Sequence, residues 1–164
     1  MSDMVHTISL KVTNAPGVLS RVAAVFARRG FNIDSLVVSS ALDGKFSRMT
    51  ITAEGDPQTL IQIIKQCNKL VDVISAQEHN PSTTLQQELA LIKISLTPKN
   101  RLEVLHVIQH IYGVTLDLAE SSVVIQLTGT SEHLNASIHM IQKYGILEMV
   151  RTGKVLVTKG HVST

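Results

Sequence analysis

The segment His6-Thr7-Ile8-Ser9-Leu10-Lys11-Val12 alternates apolar and polar residues, and the turn Asn14-Ala15-Pro16-Gly17 follows it directly. Alternation with a period of two predicts a half-buried β-strand whose inner face carries Ile8, Leu10 and Val12. Beyond the turn, apolar residues recur at helical spacing and predict an amphipathic helix that ends near Gly30. Its expected inward residues are Leu19, Val22, Ala23 and Phe26.

The following residues complete one small domain. Phe31 to Ser40 is rich in β-branched residues, and Leu42-Asp43-Gly44 predicts a hairpin turn into a strand with Met49, Ile51 and Ala53 inward. Asp56-Pro57 is typical of a helix start, and Leu60, Ile64 and Cys67 are the expected inward face of that helix. A last strand is predicted over Leu70 to Ala76. The order strand–helix–strand–strand–helix–strand predicts an antiparallel sheet with both helices on one face.

The second half of the chain repeats this order after a polar linker that begins Asn80-Pro81-Ser82. Periodicity predicts a strand over 89–96, a helix over 100–111 and a hairpin over 114–127. Thr130 is the expected cap of a further helix, and a strand follows Gly145. We therefore predict an α+β chain with two ferredoxin-like βαββαβ domains, over 4–79 and 88–160, joined by a linker over 80–87.

The composition limits the class of protein. The chain has 164 residues, of which 44% are apolar, and it contains 15 basic and 13 acidic residues. This balance does not indicate a nucleic-acid or membrane partner, and with 3% aromatic residues a base-stacking surface is not expected. One cysteine excludes an intrachain disulfide, and the first residues lack the pattern of a signal peptide. We expect a cytoplasmic chain.

Catalytic and metal-binding patterns are not found in the sequence. Cys67 belongs to an apolar helical stripe and is expected to be a buried, inert thiol. His106 and His110 have a metal-ligand spacing but lack the glutamate of a zinc-protease helix, which favours a solvated face. Arg21 and Arg28 lie on the first helix and are compatible with either a solvated face or a surface for a partner. We predict no catalytic residue and no metal site.

The turn before the first helix is the best candidate for a binding site. Exposed N–H groups at a helix start, together with the helix dipole, favour a carboxylate. Gly17 lets the backbone approach a ligand closely, and the amide of Asn14 can serve either end of a zwitterion. Asn32 is a second amide in an otherwise apolar strand. The alternative is that this segment is only a turn with a cap.

The turn resembles the first loop of the ACT domain, a βαββαβ module that senses amino acids. The wider pattern resembles the small regulatory subunits of acetolactate (acetohydroxyacid) synthase over nearly the whole chain. The segments that carry this resemblance in the first half are Asn14-Ala-Pro-Gly-Val-Leu-Ser-Arg-Val22, Arg29-Gly-Phe-Asn-Ile-Asp-Ser-Leu36, Ser47-Arg-Met-Thr-Ile51 and Leu70-Val-Asp-Val73. Those in the second half are Glu88-Leu-Ala-Leu-Ile-Lys-Ile94, Gln126-Leu-Thr-Gly-Thr130 and Arg151-Thr-Gly-Lys154.

The resemblance implies a function and partners. A large catalytic subunit would carry thiamine diphosphate, Mg²⁺ and FAD and would make 2-acetolactate or 2-aceto-2-hydroxybutyrate. This chain would bind no cofactor itself, would activate that subunit, and would confer feedback inhibition by valine. The resemblance further implies a homodimer of ACT domains, because the family's effector lies between two of them.

The effector-binding residues implied by the resemblance come from two chains. One chain would supply Asn14, Ala15, Pro16, Gly17, Val18 and Leu19, and its partner would supply Asn32 and Ile33. We expect the valine side chain in an apolar slot near Val12, Leu19 and Ile33. The corresponding loop of the second half, Thr97-Pro98-Lys99-Asn100-Arg101, lacks the motif, so effector sites are expected only in the first half.

Two other functions are compatible with the sequence. One is an ACT-type sensor of a different amino acid that regulates another biosynthetic enzyme. The other is a free-standing enzyme on a ferredoxin-like fold, because a fold does not determine a function.

Overall fold

The computed structural model describes residues 4–161. They divide into two compact units, one formed by the chain up to residue 86 together with the segment from residue 153, and the other by residues 87–152. No helix among these residues has the length and the apolar content that a bilayer crossing requires.

The first unit contains a four-stranded sheet and two helices. Its elements are β1 (Met4–Thr13), α1 (Val18–Arg28), β2 (Asn32–Ser40), β3 (Phe46–Gly55), α2 (Pro57–Cys67) and β4 (Val73–Glu78). The strands are antiparallel in the order β2-β3-β1-β4, which is the predicted βαββαβ arrangement. The inner face of the sheet and the two helices enclose one apolar core, in which Ile8, Leu10 and Ile51 are almost fully buried.

The helix faces differ in part from the expected ones. α1 buries Val18, Val22, Val25 and Phe26, whereas Leu19 is 42% exposed. α2 buries Ile63, and Ile64 is only partly buried. Two overlapping apolar stripes have helical spacing in α1, so periodicity could not distinguish between them. Packing against the sheet decides which of the two stripes is buried.

The second unit has the same order of elements. Its sheet follows the order β6-β7-β5-β8, and its core includes Ile92, Ile125 and Leu134. The elements are β5 (Thr84–Ser95), α3 (Arg101–His110), β6 (Val114–Leu118), β7 (Ser122–Gly129), α4 (Ser131–Ile141), a 3₁₀ turn (Gln142–Tyr144) and β8 (Ile146–Arg151). A short final strand, β9 (Val155–Thr158), pairs with β5 but groups with the first unit, as do the first residues of β5.

The unit boundaries differ from the predicted domain limits at two points. β5 begins at Thr84, inside the segment expected to be a linker. Residues from 153 onward group with the first unit, where Gly153 lies so close to Ser35 that a Cβ atom at Gly153 would be 2.4 Å from the Ser35 hydroxyl. Such a contact joins residues far apart in sequence, so local sequence patterns could not predict it.

Candidate functional site

The loop between β1 and α1 lies at an exposed end of the first sheet. Asn14, Ala15, Pro16 and Gly17 are all exposed. The backbone N–H of Asn14 donates to the carbonyl of Lys45 at 2.9 Å, and its side-chain amide donates to the carbonyl of Gly44 at 3.0 Å. The turn between β2 and β3 therefore holds this loop in place. The sequence did not predict this contact between the loop and the turn.

Gly17 begins α1 in a left-handed conformation with φ of 80°. Gly17 has no side chain that could cap α1, and the first turn of α1 contains no acidic residue. By contrast, Asp56 caps α2 and Thr130 caps α4, each by accepting a backbone N–H bond. Because the first N–H groups of a helix have no partner within it, the start of α1 suits an external carboxylate.

Arg21 lies beside this helix start. Its Nε donates to Asp72 Oδ2 at 2.7 Å, which joins α1 to the loop before β4. A Cβ atom at Gly17 would be 3.0 Å from Arg21 Nη1, so the guanidinium is next to the glycine. The positions are four residues apart on one helix, a spacing that could have associated Arg21 with the loop. An open depression of about 400 Å³ adjoins both residues.

The apolar residues near the loop have unequal access to a ligand. Val18 and Val12 are buried in the core of the domain. Val12, near which the effector side chain was expected, is enclosed between the sheet and its helices and has no exposed surface in the single chain. Leu19, expected to point inward, is instead available at the surface.

Asn32 and Ile33 lie away from the loop within one chain. Asn32 pairs with Glu54, which in turn pairs with Val5 near the start of β1, whereas Asn14 follows the end of β1. Asn32 is exposed on β2, an edge strand, and Ile33 is partly buried against the core. The structure thus brings together residues 14–19, and leaves Asn32 and Ile33 at the other end of the sheet.

The other candidate groups are Cys67 on α2 and two histidines on α3. Cys67 is buried, and burial raises the pKa of its thiol to about 11, which keeps it protonated and unreactive at neutral pH. The predicted burial of this thiol is confirmed. His106 and His110 are exposed on α3. In the described part of the chain, no three histidine, cysteine or acidic side chains are grouped so that they could hold a metal ion.

Both halves of the chain match known families. Residues 8–75 match the family described as an AHAS small subunit-like ACT domain, and residues 87–160 match the family described as the small subunit of acetolactate synthase. The first of these carries the candidate loop. The second covers the whole of the second unit.

Individual relatives extend the similarity to the full length. The chain is 41% identical to a probable acetolactate synthase small subunit of Archaeoglobus fulgidus, over 96% of this chain and 99% of the relative. It is 39% identical to the acetolactate synthase small subunit of Mycolicibacterium smegmatis, over 94% and 91% of the two chains. The crystal structure of the acetolactate synthase small subunit from Thermotoga maritima matches 97% of this chain and 99% of that one, with a TM-score of 0.87 and 33% identity.

Proposed function

The chain belongs to the acetolactate synthase small-subunit family, and we propose that it activates a catalytic large subunit and makes that subunit sensitive to inhibition by valine. The partner would carry the thiamine diphosphate, Mg²⁺ and FAD and would perform the condensation of 2-oxoacids. This chain contributes regulation and no catalytic group. The proposed complex acts in the cytoplasm.

The observation that most directly supports an effector site is the start of α1 at Gly17. An exposed glycine, an uncapped helix start and the neighbouring guanidinium of Arg21 together favour a carboxylate. We propose that the N–H groups of residues 17–19 bind the carboxylate of valine. Backbone carbonyls and the amide of Asn14 then face its ammonium group.

The valine side chain supplies only part of the binding energy. Burying an isopropyl group contributes about 1.5–3 kcal/mol, so the charged ends must fix the orientation of the ligand. Leu19, exposed beside the loop, is the proposed apolar contact from the same chain. Because one methylene changes binding in such a pocket by about 1–3 kcal/mol, leucine and isoleucine are the appropriate competitors to test.

We propose that a second copy of the chain completes the site. Asn32 and Ile33 lie on the edge strand β2, at the opposite end of the sheet from Asn14. A two-fold axis perpendicular to the strands brings opposite ends of two such sheets side by side, and pairing also covers the exposed edge. Valine bound across that interface stabilises one arrangement of the subunits over another, as inhibition requires.

The test is reconstitution with the catalytic subunit. We expect the chain alone to produce no acetolactate, to raise the rate of the partner when added, and to make that rate fall as valine is added. Leucine and isoleucine, titrated in parallel, measure selectivity. Calorimetry with the chain alone examines binding separately, and a chain that binds none of the three amino acids would contradict the proposed effector site.

A further inference from the structure

The face of the first sheet that points away from α1 and α2 is polar. Near its centre Ser9, Thr50 and Thr52 are each 5% exposed or less, and Ser9 Oγ lies 2.5 Å from His79 Nε2. The register places the next row of side chains on this face closer to the turn between β2 and β3. That row crosses all four strands and consists of Ser39, Arg48, Lys11 and Ser75.

Two cations occupy the centre of this row. Lys11 and Arg48 are directly opposite each other on β1 and β3. Like charges at such positions destabilise a sheet unless an opposite charge lies between them. Among residues 4–161 no ion pair includes Lys11, whose ammonium instead lies 5.0 Å from the centre of the Phe46 ring. Arg48 has interactions of its own, and the five N–H donors of its guanidinium can form hydrogen bonds to more than one partner.

These cations line an open pocket of about 560 Å³, a volume within the ~300–1,000 Å³ typical of small-molecule sites. The hydroxyl of Ser39 adds a donor, and Phe46 and Leu42 add apolar surface. The acidic residue of the cavity, Asp43, accepts the backbone N–H of Lys45 at 3.0 Å. The charge of Arg48 also acts outside the pocket, since after burial it is the second cause that lowers the pKa of His79.

We propose that this cavity, the Lys11–Arg48 pocket, binds a small organic anion. A carboxylate or phosphate group of the ligand bridges the ammonium of Lys11 and the guanidinium of Arg48 in charge-assisted hydrogen bonds. The apolar part of the ligand lies against Phe46 and Leu42. This site is separate from the proposed valine site, which lies at the start of α1, and it does not depend on valine binding there.

The experiment is an amide NMR titration of the full-length chain at constant ionic strength, with sodium chloride as the compensating salt. Inorganic phosphate tests the anionic group alone, and phenyl phosphate and benzoate add a ring to a phosphate or a carboxylate. We expect saturable shifts at Lys11, Ser39 and Phe46, and tighter binding of a ring-bearing anion than of inorganic phosphate. The tighter of the two ring-bearing probes identifies the preferred head group.

Matched variants distinguish binding at this specific pocket from non-specific electrostatic attraction of the anion to the protein. Lys11→Met should weaken binding by about tenfold, since a hydrogen bond to a charged group is lost. Lys69→Met removes the same charge from an exposed position outside the pocket and should leave binding unchanged, and Lys11→Arg should retain most of it. Equal weakening by the two methionine variants, or saturable shifts centred on residues 17–20, would overturn the proposal.

Discussion

Asn14 and Asn32 lie at opposite ends of one antiparallel sheet. Asn14 is held against the carbonyl of Gly44, whereas Asn32 pairs with Glu54, which pairs with Val5. The strand between Val5 and Asn14 corresponds to roughly 30 Å at ~3.3 Å per residue. A free amino acid is far too short to touch both amides of one chain, so a site that uses both requires two chains.

Complementation between two variants tests this shared site. Asn14→Ala and Asn32→Ala should each weaken valine binding as homodimers. In a mixed dimer both substitutions fall in one of the two sites, and the other site has its native residues. Random mixing therefore restores native affinity to about a quarter of the sites. Calorimetry of the mixture, after exchange of subunits, measures that fraction.

Two outcomes would contradict the shared site. One is a monomer by light scattering both with and without valine. The other is a mixture that binds no better than the two variants measured separately.

Substitution of Gly17 separates binding from folding. Gly17→Asp forces a side chain into a left-handed conformation beside Arg21 and places an anion where the valine carboxylate is proposed to bind. We expect a loss of about 1–2 kcal/mol in stability, activation of the catalytic subunit largely retained, and valine inhibition abolished. The reconstituted assay with and without valine measures both activities.

Gly30→Asp is the matched control for Gly17→Asp. Gly30 also has a positive φ, of 70°, but a Cβ atom there would contact nothing within 4 Å. The Gly30→Asp variant should show a similar loss of stability and an unchanged response to valine. Wild-type affinity for valine in Gly17→Asp, measured by calorimetry, would show that the carboxylate binds elsewhere.

The environment of His79 predicts a dependence of stability on pH. Burial, followed by the charge of Arg48, lowers the pKa of His79, so the folded chain favours the neutral imidazole beside Ser9. The unfolded chain binds the proton near the ordinary pKa of about 6.5. The free energy of unfolding should therefore fall as the pH decreases below that value, and His79 should contribute no such dependence above it.

Denaturant unfolding of the wild type and of His79→Gln, repeated between pH 5 and 7.5, measures this contribution. The wild type should lose more stability on acidification than the variant does. Parallel pH profiles for the two proteins would exclude His79 as the cause. The comparison also removes contributions from the other histidines, which both proteins share.

The second unit contains a partly buried ion pair whose removal should be costly. Glu88 is 6% exposed, accepts a hydrogen bond from the hydroxyl of Ser131, and lies 2.6 Å from Arg151 Nε. Glu88→Gln should lower the free energy of unfolding by about 2–3 kcal/mol, because Arg151 then loses its charged partner. Glu103→Gln removes an exposed carboxylate that pairs with Lys143 and should cost much less. Urea denaturation of both variants makes the comparison, and equal losses would contradict it.

The local structure of this chain follows closely from its sequence. Alternation defined β1, and Asp56 and Thr130 marked the starts of α2 and α4, because strand periodicity and helix caps depend on residues close together in the chain. Cys67 was predicted to be buried for the same reason. The repeated order of elements was sufficient to predict two βαββαβ units.

The orientation of these elements depends on contacts that the sequence does not specify. Periodicity predicted an inward face of α1 that includes Leu19, whereas packing on the sheet buries Val18 and leaves Leu19 exposed. The proximity of Arg21 to Gly17 and the opposition of Lys11 and Arg48 arise from helix geometry and strand register. Register is set by the whole sheet, through pairs of residues distant in sequence. The sequence by itself therefore determined which elements form, and the tertiary structure determined which side chains meet.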